Sequence, residues 1–171
     1  KTHCLILLYH IAKAGKTIKK IESVSDLLGV EKINYDKASI AVFTNTTCDP
    51  IQGREIDGVK LNTLWGEIAF QLGGNEAYKL IEENDKKKTC PKGIFKKVLE
   101  KCNPALILID ELADYCVSAS AVTVGGSTLA DQTISFIQEL SQAVSETKSC
   151  VLVATLPASD VEVSSGELGT K

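Results

Sequence analysis

The stretch Leu106-Ile107-Leu108-Ile109-Asp110-Glu111 decides the fold. Its consecutive apolar residues leave no polar face, so the segment reads as a strand buried on both sides. Such strands belong to a parallel sheet covered by helices on each face. The two acids follow where the strand ends, and the C-terminal ends of parallel strands are where open α/β sheets bind ligands. Two readings are open at this point. Asp110 can organise a metal ion while Glu111 activates a water, or the strand ends in a solvated acidic turn.

Outward from this strand, helices and strands alternate. Downstream, Glu111 to Ser118 reads as helix or turn, and 122–128, with Gly125-Gly126, as a mobile loop. Leu129 to Thr147 predicts a long helix with Ile134, Ile137, Leu140 and Val144 toward the core. Cys150 to Thr155 (CVLVAT) is a second continuous apolar strand, and the polar tail after Ser159 reads as loose. Upstream, Pro104 ends a helix over Gly93–Cys102, and the lysines 86–88 with Pro91 end another that opens at Asn75 and runs to about Asn84. Thr63 caps a helix, TLWGEIAFQLGG, that stops at Gly73-Gly74. Asp49-Pro50, Gly53 and Gly58 mark a loop after a strand at Ser39–Thr44. Ser25 to Gly29 suggests a short helical turn. Thr2 to Ala14 carries apolar residues at helical spacing (Leu5, Ile6, Leu8, Tyr9, Ala12), with Gly15 as its stop.

The chain has 171 residues, 44% hydrophobic and 24% charged, with a net charge of −3. That suits one globular domain without repeats, and the charge gives no global pull toward nucleic acid or an anionic membrane. No apolar run reaches the roughly 20 residues of a membrane-spanning helix. The six cysteines form no C-x-x-C pair and no zinc-finger spacing with the two histidines. They read as reduced thiols of a cytoplasmic protein, four of them (Cys4, Cys102, Cys116, Cys150) within or beside apolar segments.

The order of signals extends the first reading. The chain opens Lys1-Thr2 and runs directly into a helix, as the end of a G-x-x-x-x-G-K-[ST] phosphate loop does. In that frame Lys1 reaches the β- and γ-phosphates of ATP, and the Thr2 hydroxyl meets Mg²⁺. Asp110 is the second group on Mg²⁺, Glu111 is the catalytic base, and Thr155 at the end of CVLVAT is a sensor-like group toward the γ-phosphate. Thr155 as a strand-terminal hydroxyl that caps local backbone stays open. The expected fold class is α/β, a three-layer P-loop NTPase core (AAA-type, RecA-like) with a mostly parallel sheet. Residues 1–171 make one partial domain that begins just past its phosphate loop. The end of the Walker A motif falls at 1–2, Walker B at 106–111, and the sensor-like strand at 150–155.

The chain also resembles a prokaryotic domain-of-unknown-function family of large predicted AAA-type ATPases. The matching stretches are Lys1-Thr2-His3 with Leu8-Tyr9-His10, Thr63 through Ala69 with Gln71 through Gly74, Pro104 through Leu112 with Tyr115, and Thr155 through Asp160 with Glu162. They span most of the chain, and the tryptophan block is the most specific. Members are often encoded near DNA methyltransferases and helicases in phage-defence neighbourhoods. The resemblance therefore implies ATP-driven work on DNA or with DNA-modifying partner proteins, within a ring or other homo-oligomer. The chain departs from the family pattern in lacking the glycines before Lys1 and the strand before them. That strand lies beside CVLVAT in AAA-type sheets, so CVLVAT is expected to form an open edge and the segment alone to bind ATP poorly.

The remaining candidates have ordinary explanations. Arg54, the chain's only arginine, could act as an arginine finger in trans, but a solvated loop arginine is the preferred reading. Trp65 reads as core rather than a base-stacking ring. His3 and His10 read as structural or surface residues. Lys86-Lys87-Lys88 with Lys92, Lys96, Lys97 and Lys101 could touch nucleic-acid phosphates, but a solvated lysine-rich face is the preferred reading. Two rival functions follow, a non-hydrolysing nucleotide switch or scaffold and a non-specific nucleic-acid-binding domain. No base-reading motif separates ATP from GTP.

Overall fold

The computed structural model describes residues 2–20 and 34–155. The expectations for Lys1, for the turn at Ser25–Gly29 and for the tail after Ser159 lie outside the described residues. In chain order the elements are α1 (Thr2–Ala14), a 3-10 helix (Gly15–Lys20), β1 (Ser39–Phe43), β2 (Arg54–Ile56), β3 (Val59–Leu61), α2 (Leu64–Tyr78), α3 (Glu82–Lys86), α4 (Phe95–Cys102), β4 (Ala105–Ile109), α5 (Leu112–Ala119), β5 (Thr123–Val124), β6 (Ser127–Thr128), α6 (Leu129–Glu146) and β7 (Cys150–Ala154).

β1, β4 and β7 form a parallel sheet with β4 in the middle. All of β4 is buried, as its unbroken apolar run requires. Alternate residues point to opposite layers. Leu106 and Leu108 pack with Leu5, Leu8, Tyr9 and Ala12 of α1. Ala105, Ile107 and Ile109 face the larger core of α2, α4, α5 and α6. The architecture is therefore α/β in three layers. In the larger layer Phe136 meets Trp65 at 5.5 Å and Phe95 at 4.9 Å between ring centroids, all three fully buried. Burial of each phenylalanine contributes about 1.5–3 kcal/mol.

Local signals set the element ends. Gly15 closes α1 at φ +51°, where an added Cβ would stand 2.8 Å from the Tyr35 carbonyl oxygen. The Thr63 hydroxyl accepts from the Gly66 N–H and opens α2. Gly73 and Gly74 leave helical geometry inside α2, where the double glycine predicts a stop. The loop expected after Asp49 contains a hairpin instead: β2 pairs with β3 across Asp57-Gly58, both at positive φ. An Asp-Gly pair favours that turn. The segment 122–128 is likewise a small hairpin, β5 against β6, rather than a mobile loop. On α6 the buried stripe is Leu129, Thr133, Phe136, Leu140 and Ala143. Ile134 falls outside that stripe and is 55% exposed, against the sequence expectation.

The two edges of the sheet differ. Beside β1, the Gln71 amide accepts from Val42 N–H at 2.8 Å and donates to Val42 C=O at 3.0 Å. A helix side chain thus occupies the backbone groups that another strand would use. β7 is not buried on both faces as its sequence suggests. Among the described residues it pairs only with β4, and Val151 is 52% exposed. It is the open edge expected from the order of the strands.

Candidate functional site

The sheet ladder continues one step past the strands. Asp110 N–H donates to Phe43 C=O at 2.8 Å, and Thr155 N–H to Ile109 C=O at 2.9 Å. These bonds set Asp110 and Thr155 side by side at the C-terminal edge. α1 crosses the same edge with its first turn, and the Thr2 hydroxyl donates to Asp110 Oδ2 at 2.9 Å. The Thr155 hydroxyl donates to Asp110 Oδ1, which also accepts from Glu111 N–H at 3.2 Å. Thr2 and Thr155, 153 positions apart in sequence, thereby meet on one carboxylate. The hydrogen bond from Thr155, with further ones from Thr2 and the Glu111 N–H, holds the Asp110 carboxyl below its ordinary range against the opposing effect of burial. Asp110 is ionised at neutral pH.

Glu111 occupies the N-cap of α5 in left-handed geometry, φ 56° and ψ 37°, without capping the helix with its side chain. Glu111 is exposed, and among the described residues its carboxylate has no hydrogen-bond partner. One turn further, Asp114 accepts from Asn45 Nδ2 at 2.9 Å. Asn45 belongs to a turn braced by threonine hydroxyls: Thr44 N–H donates to Thr47 Oγ1 at 2.8 Å, and Thr44 Oγ1 lies 3.1 Å from both Thr46 Oγ1 and Thr47 Oγ1. The sequence gives no motif for this turn, because hydroxyl-rich loops are common.

The site's oxygens suit a hard cation. Mg²⁺ is held through one or two carboxylates, with waters and substrate phosphates completing its shell, and Asp110 with Thr2 offers a carboxylate and a hydroxyl. Among the described residues no group of three or more His, Cys, Asp or Glu forms a metal cage. Asp110 and Thr2 are the two oxygen donors that could meet a cation at this edge.

A second polar cluster lies under this edge and is missed by the sequence reading. Asp85 is fully buried, though it sits in the charged run EENDKKK. It accepts from Asn62 N–H at 3.1 Å, Asn62 Nδ2 at 3.0 Å, Tyr78 Oη at 2.9 Å and the Thr63 hydroxyl. Burial, then the adjacent Asp85 charge, pushes the Tyr78 hydroxyl well above its ordinary value. Glu67 is also fully buried. Its Oε2 accepts from Gln71 Nε2 at 3.3 Å and lies 3.8 Å from Arg54, while Oε1 has no partner among the described residues. Burial raises the Glu67 carboxyl, opposed by Gln71 and Arg54.

Arg54 lies in a short strand, β2, rather than a loop, and its side chain is 45% exposed, in keeping with a solvated arginine. It pairs with Glu67 and donates to Thr47 C=O at 3.5 Å. Trp65 is core, as expected. His3 and His10 are exposed on α1, His10 edge-on to the Tyr9 ring. The lysine stretch is largely engaged within the chain. Lys86, Lys87, Lys96 and Lys101 pair with Glu82, Glu83, Glu146 and Glu76, and Lys88 donates to the Pro50 carbonyl. All six cysteines are free thiols. Burial pushes Cys48 up to about 12 and Cys90 up to about 11, which leaves both poor nucleophiles. No described helix is long and apolar enough to cross a membrane.

Taken together, the described residues form an α/β domain with a parallel sheet and a carboxylate–hydroxyl cluster at the sheet's C-terminal edge. The model of the DUF499 N-terminal domain matches residues 1–170, and the chain belongs to that family. Comparison with curated proteins and with solved structures gave no significant match.

Proposed function

We propose that the chain carries the metal- and water-handling half of a Mg²⁺-dependent ATPase site, in a P-loop NTPase core of the AAA type. The observation that supports this reading best is the meeting of Thr2 and Thr155 on Asp110 with Glu111 beside them. A hydroxyl at the start of a helix, an acid ending a buried strand and a hydroxyl ending the next strand are the groups such a site requires at these places. Lys1, whose proposed role is phosphate contact, lies outside the described residues.

A bound Mg²⁺, which Asp110 and the Thr2 hydroxyl would hold, would neutralise charge that develops on the transferred phosphoryl group. Asp110, kept ionised by its three donors, supplies the negative charge that holds the cation, together with the Thr2 oxygen. Thr155 fixes the orientation of Asp110 and ties it to the neighbouring strand. Glu111, exposed and uncapped, takes the proton of an attacking water on its carboxylate. Arg54, 3.8 Å from Glu67, is given no part in this reading. The engaged lysines weigh against the nucleic-acid-binding rival. Work on DNA within a homo-oligomer, alongside DNA-modifying partners, rests on the family resemblance alone.

The test is ATP hydrolysis by the full-length natural protein with Mg²⁺, beside its Glu111→Gln variant. The expected result is turnover in the wild type and loss of roughly 100-fold or more in kcat in the variant with ATP still bound. Absence of nucleotide binding in both would return Asp110-Glu111 to a buried strand with an acidic end.

A further inference from the structure

We infer that Asn45 is a positioning residue for Glu111, acting through Asp114. The inference rests on the reading that Glu111 handles the attacking water. A base contributes only when its carboxylate is held within hydrogen-bond reach of the proton it takes, and nothing among the described residues holds the Glu111 carboxylate directly. Its direction is set by the backbone at 111 and by the rotation of the first turn of α5.

α5 is a short helix, Leu112–Ala119, and its seating has two parts. On the core side Leu112, Tyr115 and Ala119 are buried, with the Tyr115 ring edge-on to Phe43 at 5.0 Å. Apolar contact of this kind fixes depth better than rotation, because it is not directional. On the outer side the directional contact is Asn45 Nδ2 to Asp114 Oδ2 at 2.9 Å. Among the described residues it is the one side-chain hydrogen bond between the 44–52 turn and α5. Tyr115 N–H donates to Glu111 C=O at 3.3 Å, so the first turn that carries Asp114 is tied to the backbone at 111. A bond from an amide to a carboxylate is charge-assisted and directional.

Asn45 can bear this load because its own turn is braced. Thr47 N–H returns to Thr44 C=O at 2.9 Å, the hydroxyls of Thr44, Thr46 and Thr47 share hydrogen bonds, and Arg54 donates to Thr47 C=O at 3.5 Å. Asn45 thus projects from a fixed platform at the end of β1, the strand whose last residue, Phe43, pairs with Ile109 just before Asp110.

The experiment uses the full-length natural protein and four forms: wild type, Asn45→Ala, Asn45→Asp, and the swap Asn45→Asp with Asp114→Asn. Each is measured for kcat with Mg²⁺-ATP, for affinity toward a fluorescent ATP analogue, and for its thermal midpoint. Asn45→Ala should lower kcat by roughly 10- to 100-fold, the cost of a misplaced reacting group, with nucleotide affinity within about twofold. Asn45→Asp, which sets two carboxylates face to face, should lose at least as much. The swap restores a hydrogen bond of reversed direction, from the amide at 114 to the carboxylate at 45. It should recover kcat to within about fivefold of wild type. An active wild type whose Asn45→Ala form keeps its kcat overturns this inference alone. So does a swap no better than Asn45→Asp, or a loss of kcat that merely tracks a lowered thermal midpoint. A wild type without turnover overturns the parent reading and this inference with it.

Discussion

Gly66→Ala should destabilise the protein, although general helix propensity says the opposite. Gly66 sits in the first turn of α2, where alanine in place of glycine ordinarily gains about 1 kcal/mol. Here an added Cβ would stand 2.6 Å from Asp85 Cγ and closer still to Oδ1. The carboxylate must withdraw by roughly 1 Å to reach van der Waals separation. It cannot do so freely, because the Asn62 N–H, the Asn62 amide, the Thr63 hydroxyl and Tyr78 Oη all donate to it. A withdrawal of that size breaks at least two of these bonds. Bonds to a charged group contribute about 1.5–3 kcal/mol each, so the loss is about 3–6 kcal/mol and the net, after the helix gain, about 2–5 kcal/mol. A loss of 3 kcal/mol lowers the midpoint by roughly 6–12 °C in a domain of this size. Urea unfolding followed by fluorescence reads it directly, since Trp65 is the chain's one tryptophan and lies fully buried beside Gly66. In an Asp85→Ala background the obstacle is gone, and the same substitution should stabilise by up to about 1 kcal/mol. A neutral or stabilising Gly66→Ala in the otherwise native chain would refute the reasoning.

Further outcomes follow from the neighbouring groups. The Glu67 carboxyl is raised in the folded chain, so the folded state holds a proton that the unfolded state releases near pH 4.5. Its contribution is complete below that value and is lost as pH rises through the folded value. Glu67→Gln should therefore lie above wild type in urea midpoint at neutral pH, with the gap closing below pH 4.5; parallel profiles would count against it. Arg54→Ala should cost about 1 kcal/mol, as a half-exposed pair does, and cost little once Glu67 is glutamine, which a double-mutant cycle measures. Gln71→Leu should cost about 2 kcal/mol through the two unpaired groups of Val42. It should also promote concentration-dependent association, visible by light scattering, because it uncovers the β1 edge.

Much of the frame is legible in the sequence for physical reasons. An apolar run such as ALILI has only one comfortable environment, between two layers, and Gly15 and Thr63 punctuate their helices by backbone geometry and capping that few other residues supply. The convergence of Asp110 and Thr155 follows from strand order, since parallel strands deliver their C-terminal ends to the same edge, and Thr2 joins them as the first residue of α1. Other features depend on who stands opposite. Asp85 and Glu67 look like surface charges in a one-dimensional reading, and only the packing of α2 against β2, β3 and α3 shows that they are enclosed. Arg54 likewise looks free until its partner, thirteen positions on in sequence, turns inward. The two small hairpins are missed because each strand is only two or three residues long, too short for alternation to register.

The left-handed backbone at Glu111 carries a consequence for sequence drift. A glycine adopts φ near 56° without strain, whereas a residue with a Cβ gives up about 1 kcal/mol or more there. A library screened for thermal persistence alone would enrich glycine at position 111 and discard the carboxylate with it. The glutamate can persist only where something other than fold stability is selected, so the frequency of glycine at this position among stabilised and active clones would separate the two pressures.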